Sequence, residues 1–295
     1  MSPPRILVLG ARGQVGFELC RTFASVGTVT GVTRDECDLA DRSAVRALLA
    51  ARRPTHVLNA AAHTAVDAAE TDVDAAMRLN ADLPALLAAE CASSGALLVH
   101  YSTDYVFDGG GSRPYREDDP PAPLNVYGRS KLAGEEGIRA AGAEHLIIRT
   151  SWVYGMRGRN FLRSILAAAS QRPEIRIVAD QIGTPTWCRL LAGATLQMVM
   201  GVGALRGEAR ARACGTYHVS AGSSASWKEF AEVIVEAART RDVLACARIV
   251  PISTAEFGAP AVRPLYSVLS NEKVAKVFGV HMPGWREQLR LAWDA

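Results

Sequence analysis

Apolar residues in this chain alternate between short unbroken runs and stripes at helical spacing, and that rhythm predicts strands and helices in strict succession. Arg5 to Leu9 reads as a buried strand closed by a glycine turn. A helix then carries Val15, Leu19, Phe23 and Val26 on one face and stops at Gly27, and residues 28–32 form a second strand. Asp41 is placed to cap a helix bearing Val45, Leu48 and Leu49, which Pro54 terminates. His56 to Ala62 is the next strand, and a long helix over about 74–93 leads into a strand at 96–101. Right-handed crossovers make such strands parallel, with both sheet faces covered. Later segments read as a helix at 160–171, an extended run at 175–178, a helix at 187–200 and a strand near 216–219. Ser226 and Glu229 form a capping-box pattern before a helix through Ala238. The fold class expected is α/β: a doubly wound parallel sheet in residues 1–154, to which about 187–220 return, with a smaller α/β C-terminal lobe from 155–186 and 221–295.

Composition narrows the function. With 49% hydrophobic and 21% charged residues over 295 positions, the chain has ample core material for one large domain and a companion. A net charge of +3 gives no electrostatic case for a nucleic-acid partner. No apolar run approaches a membrane span, and the opening MSPPRILVLG runs into a strand without a signal-peptide core, so a cytoplasmic placement is expected. The six cysteines form no CxxC pair and the six histidines no HxxxH, so no metal site is expected.

Candidate chemistry begins at GARGQVG. Gly10, Gly13 and Gly16, with Arg12, Gln14 and Val15 among them, lie between the first strand and the first helix. Glycines there let the backbone turn tightly and approach a pyrophosphate at the helix N-terminus, which makes the sheet Rossmann-like and dinucleotide-binding. The second strand ends in Val32-Thr33-Arg34 rather than in an acid. Arg34 favours a ribose 2′-phosphate and thus NADPH, with NADH as a second cofactor, although Asp35 follows and an exposed, neutral role for Arg34 is equally open. Asp38-Leu39 is placed to hold the adenine, or Asp38 is a local turn residue.

A second site is marked by His100-Tyr101-Ser102-Thr103-Asp104-Tyr105 at a strand end and by Tyr127 four residues before Lys131. Residues i and i+4 share a helix face. A lysine ammonium one turn from a phenol lowers the tyrosine pKa, fitting Tyr127 for proton transfer near neutral pH. The glycine-, proline- and acid-rich segment 107–125 joins the two motifs and reads as an active-site loop.

Together these motifs resemble the extended short-chain dehydrogenase/reductases and, within them, the dTDP-4-dehydrorhamnose reductase family. The likeness covers nearly the whole chain. It rests on GARGQVG, NAAAHTAVDAAE, HYSTDYVFDG, NVYGRSKLAGEE, RTSWVYG, DQIGTPTW and RPLYSVL. The resemblance implies Tyr127 as proton donor, Lys131 on the nicotinamide ribose, and Thr103 bonding the substrate carbonyl. It implies Asp104 and Trp152 at the sugar, and Ala62, His63, Thr64 and Tyr101 beside the cofactor. Read by chemistry alone, Trp152 and His63 are equally well core residues, Asp104 a turn cap and Thr103 a strand hydroxyl. Arg263 is a candidate for the nucleotide diphosphate, since its fork suits phosphate oxygens. The partners implied are a dTDP-sugar substrate and a second copy in a possible homodimer. Tyr105, where 4,6-dehydratases carry an acid, argues against dehydration. A reductase of a related 4-keto-6-deoxyhexose and a non-catalytic NADP-binding regulatory subunit are the other readings.

Overall fold

Leu7, Val8, Leu9, Val57, Leu58, Leu98 and Val99 are almost wholly shielded from water because their strands are covered on both faces. The computed structural model describes residues 3–241 and 243–294. Six parallel strands, β1 (Arg5–Leu9), β2 (Thr28–Val32), β3 (His56–Asn59), β4 (Leu97–Thr103), β5 (His145–Thr150) and β6 (Gly215–His218), form one sheet in the order β6-β5-β4-β3-β1-β2. Alternate residues of β1 face opposite sides: Ile6 and Val8 pack on Leu19, Phe23, Leu191 and Met198, while Leu7 and Leu9 meet Val45, Leu49, Leu86 and Leu87. After β2 the chain turns back to place β3 on the other side of β1. That reversal opens a crevice at the carboxyl ends of β1 and β3, where open α/β sheets bind ligands.

A second apolar cluster, including Phe230, Ile234, Trp285 and Leu289, surrounds the helix Trp227–Arg239. Ser226 and Glu229 close the expected capping box there. Beside it, the strand Glu174–Val178 pairs in parallel with Arg248–Ile252. Among the described residues, no helix is long and apolar enough to cross a membrane, and no group of three His, Cys, Asp or Glu could hold a metal ion.

Three expectations need correction. β3 ends at Asn59 rather than Ala62, because residues 60–64 leave the ladder to cross the sheet's carboxyl edge. β4 runs on to Thr103, so Ser102 and Thr103 are strand residues. The helix expected over 74–93 is Val73–Met77, then a π-helical turn Arg78–Asp82, then Leu83–Ser94. In that turn the buried Asn80 accepts from the His63 amide (2.8 Å), and its Nδ2 donates to the His63 carbonyl (3.0 Å) and to Ser130 Oγ (3.0 Å). Segment 107–125, expected as an active-site loop, is anchored at two residues in its middle. Tyr115 stacks on Phe107 and donates its amide to the Val268 carbonyl, and the Glu117 carboxylate accepts from His218 N.

Candidate active site

Gly10 takes φ +77°, and a Cβ there would stand 2.9 Å from Ala61 N, at the junction of β1 and the β3 exit. A Cβ at Gly16 would lie 2.1 Å from the Gly10 carbonyl oxygen, so only glycine lets the helix Gln14–Phe23 begin this close to β1. No side chain caps that helix start at Gly13 and its first turn holds no acid. Its amides therefore stay free for an anion. This cradle fits a dinucleotide pyrophosphate.

A cavity of about 490 Å³ continues from the cradle across the carboxyl ends of β1, β3, β4 and β5. Arg12, Gly13, Gln14, Val15, Ala62, Thr64, Tyr101, Thr103, Asp104, Tyr127, Lys131 and Trp152 all line it. A larger cavity, about 580 Å³, opens by Arg5, Thr55 and Gly95 at the opposite strand ends and carries none of these groups.

The structure separates the other expected residues from that wall. His63 is half-buried, its backbone pinned by Asn80 and its Nδ1 buried without a partner. Asp38 accepts from Ala40 N in a local turn, and Leu39 packs toward the core beside Val32 and Val45. Arg34 is exposed at the end of β2, while neighbouring Asp35 is paired with Arg12. Arg263 is clamped by Asp67 at 2.8 Å and lines a second cavity, about 190 Å³, with Arg176, Gln181, Trp227 and Phe257. Trp152 links the two cavities. It lines the first, holds the uncommon φ of 45°, and stacks on Trp227 with ring centroids 3.4 Å apart.

At the reacting end, Asn125 caps the helix Val126–Ala140 by accepting from Gly128 N at 2.8 Å, which sets Tyr127 and Lys131 on one face toward β4. Glu135, two turns on from Tyr127, forms a forked buried pair with Arg149 of β5 at 2.7 and 2.8 Å, fixing the helix to the sheet. Burial pushes the Tyr127 phenol up to about 12, with the nearby Thr103 hydroxyl pulling it back. Burial lowers Lys131 to about 7, opposed by Glu135. Against the expected lowering of Tyr127 by Lys131, burial dominates the phenol and holds its pKa above the ordinary value. Asp104 is fully buried and pushed up to about 6, although it accepts from Ser267 (2.5 Å), Ser151 (2.8 Å) and Thr103 (3.0 Å).

Two features beside the site had no role assigned from the sequence, the first a His100–Asn59 pair. Lys131 Nζ lies 3.1 Å from His100 Nε2, and His100 Nδ1 lies 3.1 Å from Asn59 Nδ2. Both sit on adjacent strands in register. Asn160 is the other, donating to Gln14 Oε1 at 2.8 Å across the cavity rim. No spacing rule links residues so distant in the chain.

A parallel sheet with a glycine cradle at its switch point, and a Thr-Tyr-Lys set across the crevice, defines an extended short-chain dehydrogenase/reductase. Comparison with known proteins narrows this. The RmlD substrate binding domain model matches residues 4–295. A dTDP-4-dehydrorhamnose reductase of Burkholderia thailandensis is 46% identical, over 96% of this chain and 95% of the relative. The crystal structure of a Bacillus anthracis dTDP-4-dehydrorhamnose reductase in complex with NADP superposes with a TM-score of 0.89 at 35% identity, covering 100% of this chain and 99% of that one. A probable dTDP-4,6-dihydroxy-2-methyloxan-3-one 4-ketoreductase of Streptomyces antibioticus is 40% identical over 98% of this chain and 94% of its own. The chain belongs to the dTDP-4-dehydrorhamnose reductase family of NAD(P)H-dependent oxidoreductases.

Proposed function

We propose that this protein reduces the C4 ketone of dTDP-4-dehydro-L-rhamnose to the alcohol of dTDP-L-rhamnose, using NADPH in preference to NADH. The observation that carries the reading is the meeting of Thr103, Tyr127 and Lys131 at one cavity continuous with the glycine cradle. A bound nicotinamide supplies the hydride, which the protein itself cannot. Residues 1–154, with about 187–220, hold the cofactor, and 155–186 with 221–295 hold the sugar nucleotide. Arg34 at the β2 end, with Arg12 of the glycine turn paired to Asp35 beside it, suits a 2′-phosphate, and NADP is the ligand in the Bacillus anthracis relative.

Tyr127 stays a phenol at neutral pH because burial raises its pKa to about 12, so it holds the proton that the C4 oxygen needs. Thr103 orders the carbonyl beside it, its own hydroxyl oriented by Asp104 Oδ1 and by the Tyr105 amide. Lys131 binds the nicotinamide ribose. Trp152 and Trp227 wall the path toward the second cavity, where Arg263 and Arg176 suit the diphosphate. An enzyme of free nucleotide sugars belongs in the cytoplasm.

The test is NADPH absorbance loss with dTDP-4-dehydro-L-rhamnose, comparing wild type with Tyr127→Phe. Wild type oxidises NADPH and the variant loses about 10²–10⁴-fold in kcat, the usual worth of a positioned general acid. Folded wild type that oxidises NADPH only with another ketosugar, or with none, overturns the assignment.

A further inference from the structure

The Asn59–His100–Lys131 chain is buried, and its hydrogen count is constrained. The Asn59 amide cannot turn freely, because Ala61 N donates to its Oδ1 at 3.2 Å. Its Nδ2 therefore faces His100 Nδ1 at 3.1 Å and makes that nitrogen an acceptor. Fully buried His100 is held neutral by its burial. A neutral imidazole carries one N–H, which must then sit on Nε2, the atom 3.1 Å from Lys131 Nζ. An Nε2–H can donate only to an amine with a lone pair. The network is thus complete when Lys131 is uncharged.

We propose that His100, locked by Asn59 in its Nε2–H tautomer, is a positioning residue that donates to the Lys131 amine and ties the charge of Lys131 to the tautomer of the pair. This rests on the reading above that Lys131 serves the reaction. For Lys131 to become an ammonium, it must donate to Nε2. The pair then takes up one proton from water: the Nε2 proton passes to Nζ, the new proton lands on Nδ1, and the Asn59 amide turns over and gives up the Ala61 N–H. The pair so opposes a charged Lys131 until a cofactor supplies it with other acceptors. Few other ionisable groups bear on this site. On the same helix, Tyr127 remains a phenol, and Glu135 draws the ammonium form but is already paired with Arg149 and Arg139. From β4, Asp104 is occupied by three hydroxyls, and β3 contributes only Asn59.

The tautomer is directly readable. In protein labelled with ¹⁵N-histidine, the His100 ring nitrogens report by shift and by coupling to the ring protons which of them bears hydrogen. Above the ionisation of Lys131 we expect Nε2–H, with a change toward Nδ1–H as pH falls through about 7. Asn59→Asp puts a carboxylate oxygen opposite Nδ1 and should impose Nδ1–H at every pH. His100→Gln, which adds no charge, can turn its carbonyl to the ammonium. Both variants should move the midpoint in the pH dependence of NADPH affinity upward by about one unit, the shift expected when hydrogen bonding comes to favour the charged form. Nδ1–H in the wild type at high pH overturns the proposal. So does a midpoint that stays put in whichever of the two variants folds. Neither readout uses the ketosugar, so a wrong substrate would leave this result standing.

Discussion

Asn80 offers the sharpest test of how the site is held, because one side chain secures two motifs distant in sequence. Asn80→Ala removes the acceptor for the His63 amide and the donor to the His63 carbonyl. Ser130 Oγ loses a partner too but keeps its bond to the Tyr127 carbonyl at 2.8 Å. Two backbone groups are thus left without partners in a half-buried strip. An unsatisfied group costs about 1–3 kcal/mol, and partial access to water puts the pair near about 2–4 kcal/mol. Unfolding entropy near 2.1 cal/mol/K per residue gives about 0.6 kcal/mol per degree for a chain this long, so the melting temperature should fall by about 3–6 °C. Freed residues 62–64 also border the cofactor cavity through Ala62 and Thr64. Calorimetry and NADPH titration measure both effects, and the affinity should drop along with the melting temperature. A melting point within about 1 °C of wild type, against that estimate, would refute the claim that the π-helical turn holds this strip.

Two further outcomes follow from the packing. At Gly183 a Cβ would stand 2.3–2.5 Å from the Trp152 indole, so Gly183→Ala must swing the ring off Trp227. The sugar-nucleotide KM should rise about tenfold while NADPH affinity stays within about twofold, as steady-state kinetics with each ligand varied will report. At Glu135, burial raises the carboxyl but the Arg149 bonds outweigh it and leave the pKa below its ordinary value. Its stabilisation is therefore present above the unfolded glutamate value of about 4.3 and lost as pH falls through the lower folded value. Glu135→Gln should cost about 3–5 kcal/mol at pH 7, and melting curves from pH 7 to 3 should show the gap to wild type closing at the acid end.

Local signals in the sequence carried most of this architecture. The strand runs, the Asp41 and Ser226 caps and the Gly10–Gly16 cradle are each fixed by neighbours a few residues away, and each lies where the pattern put it. The i, i+4 relation of Tyr127 and Lys131 is of the same kind. What periodicity could not supply was long-range. The π-helical turn exists because Asn80 must reach His63 and Ser130, partners seventeen and fifty residues away. The segment 107–125 has the composition of a mobile loop, yet Tyr115 finds Phe107 beneath it and the 268–270 strip beside it. The tyrosine pKa failed for a related reason. Spacing gave the lysine's place on the helix, while the burial that raises the phenol and lowers the amine comes from elements packed around them from elsewhere in the chain.

Vectorial synthesis gives the position of β6 a further meaning. β5 lies between β4 and β6, but β6 leaves the ribosome only after the chain has built the helices Phe161–Gln171 and Cys188–Ala204. At about 5–20 residues per second, β5 spends several seconds as an open edge, its amides and carbonyls unpaired beside apolar Ile147 and Ile148. In that interval the nascent chain is a template for any strand that reaches it first. The residues that close the sheet, Gly215 to His218, therefore set how long newly made protein stays open to aggregation.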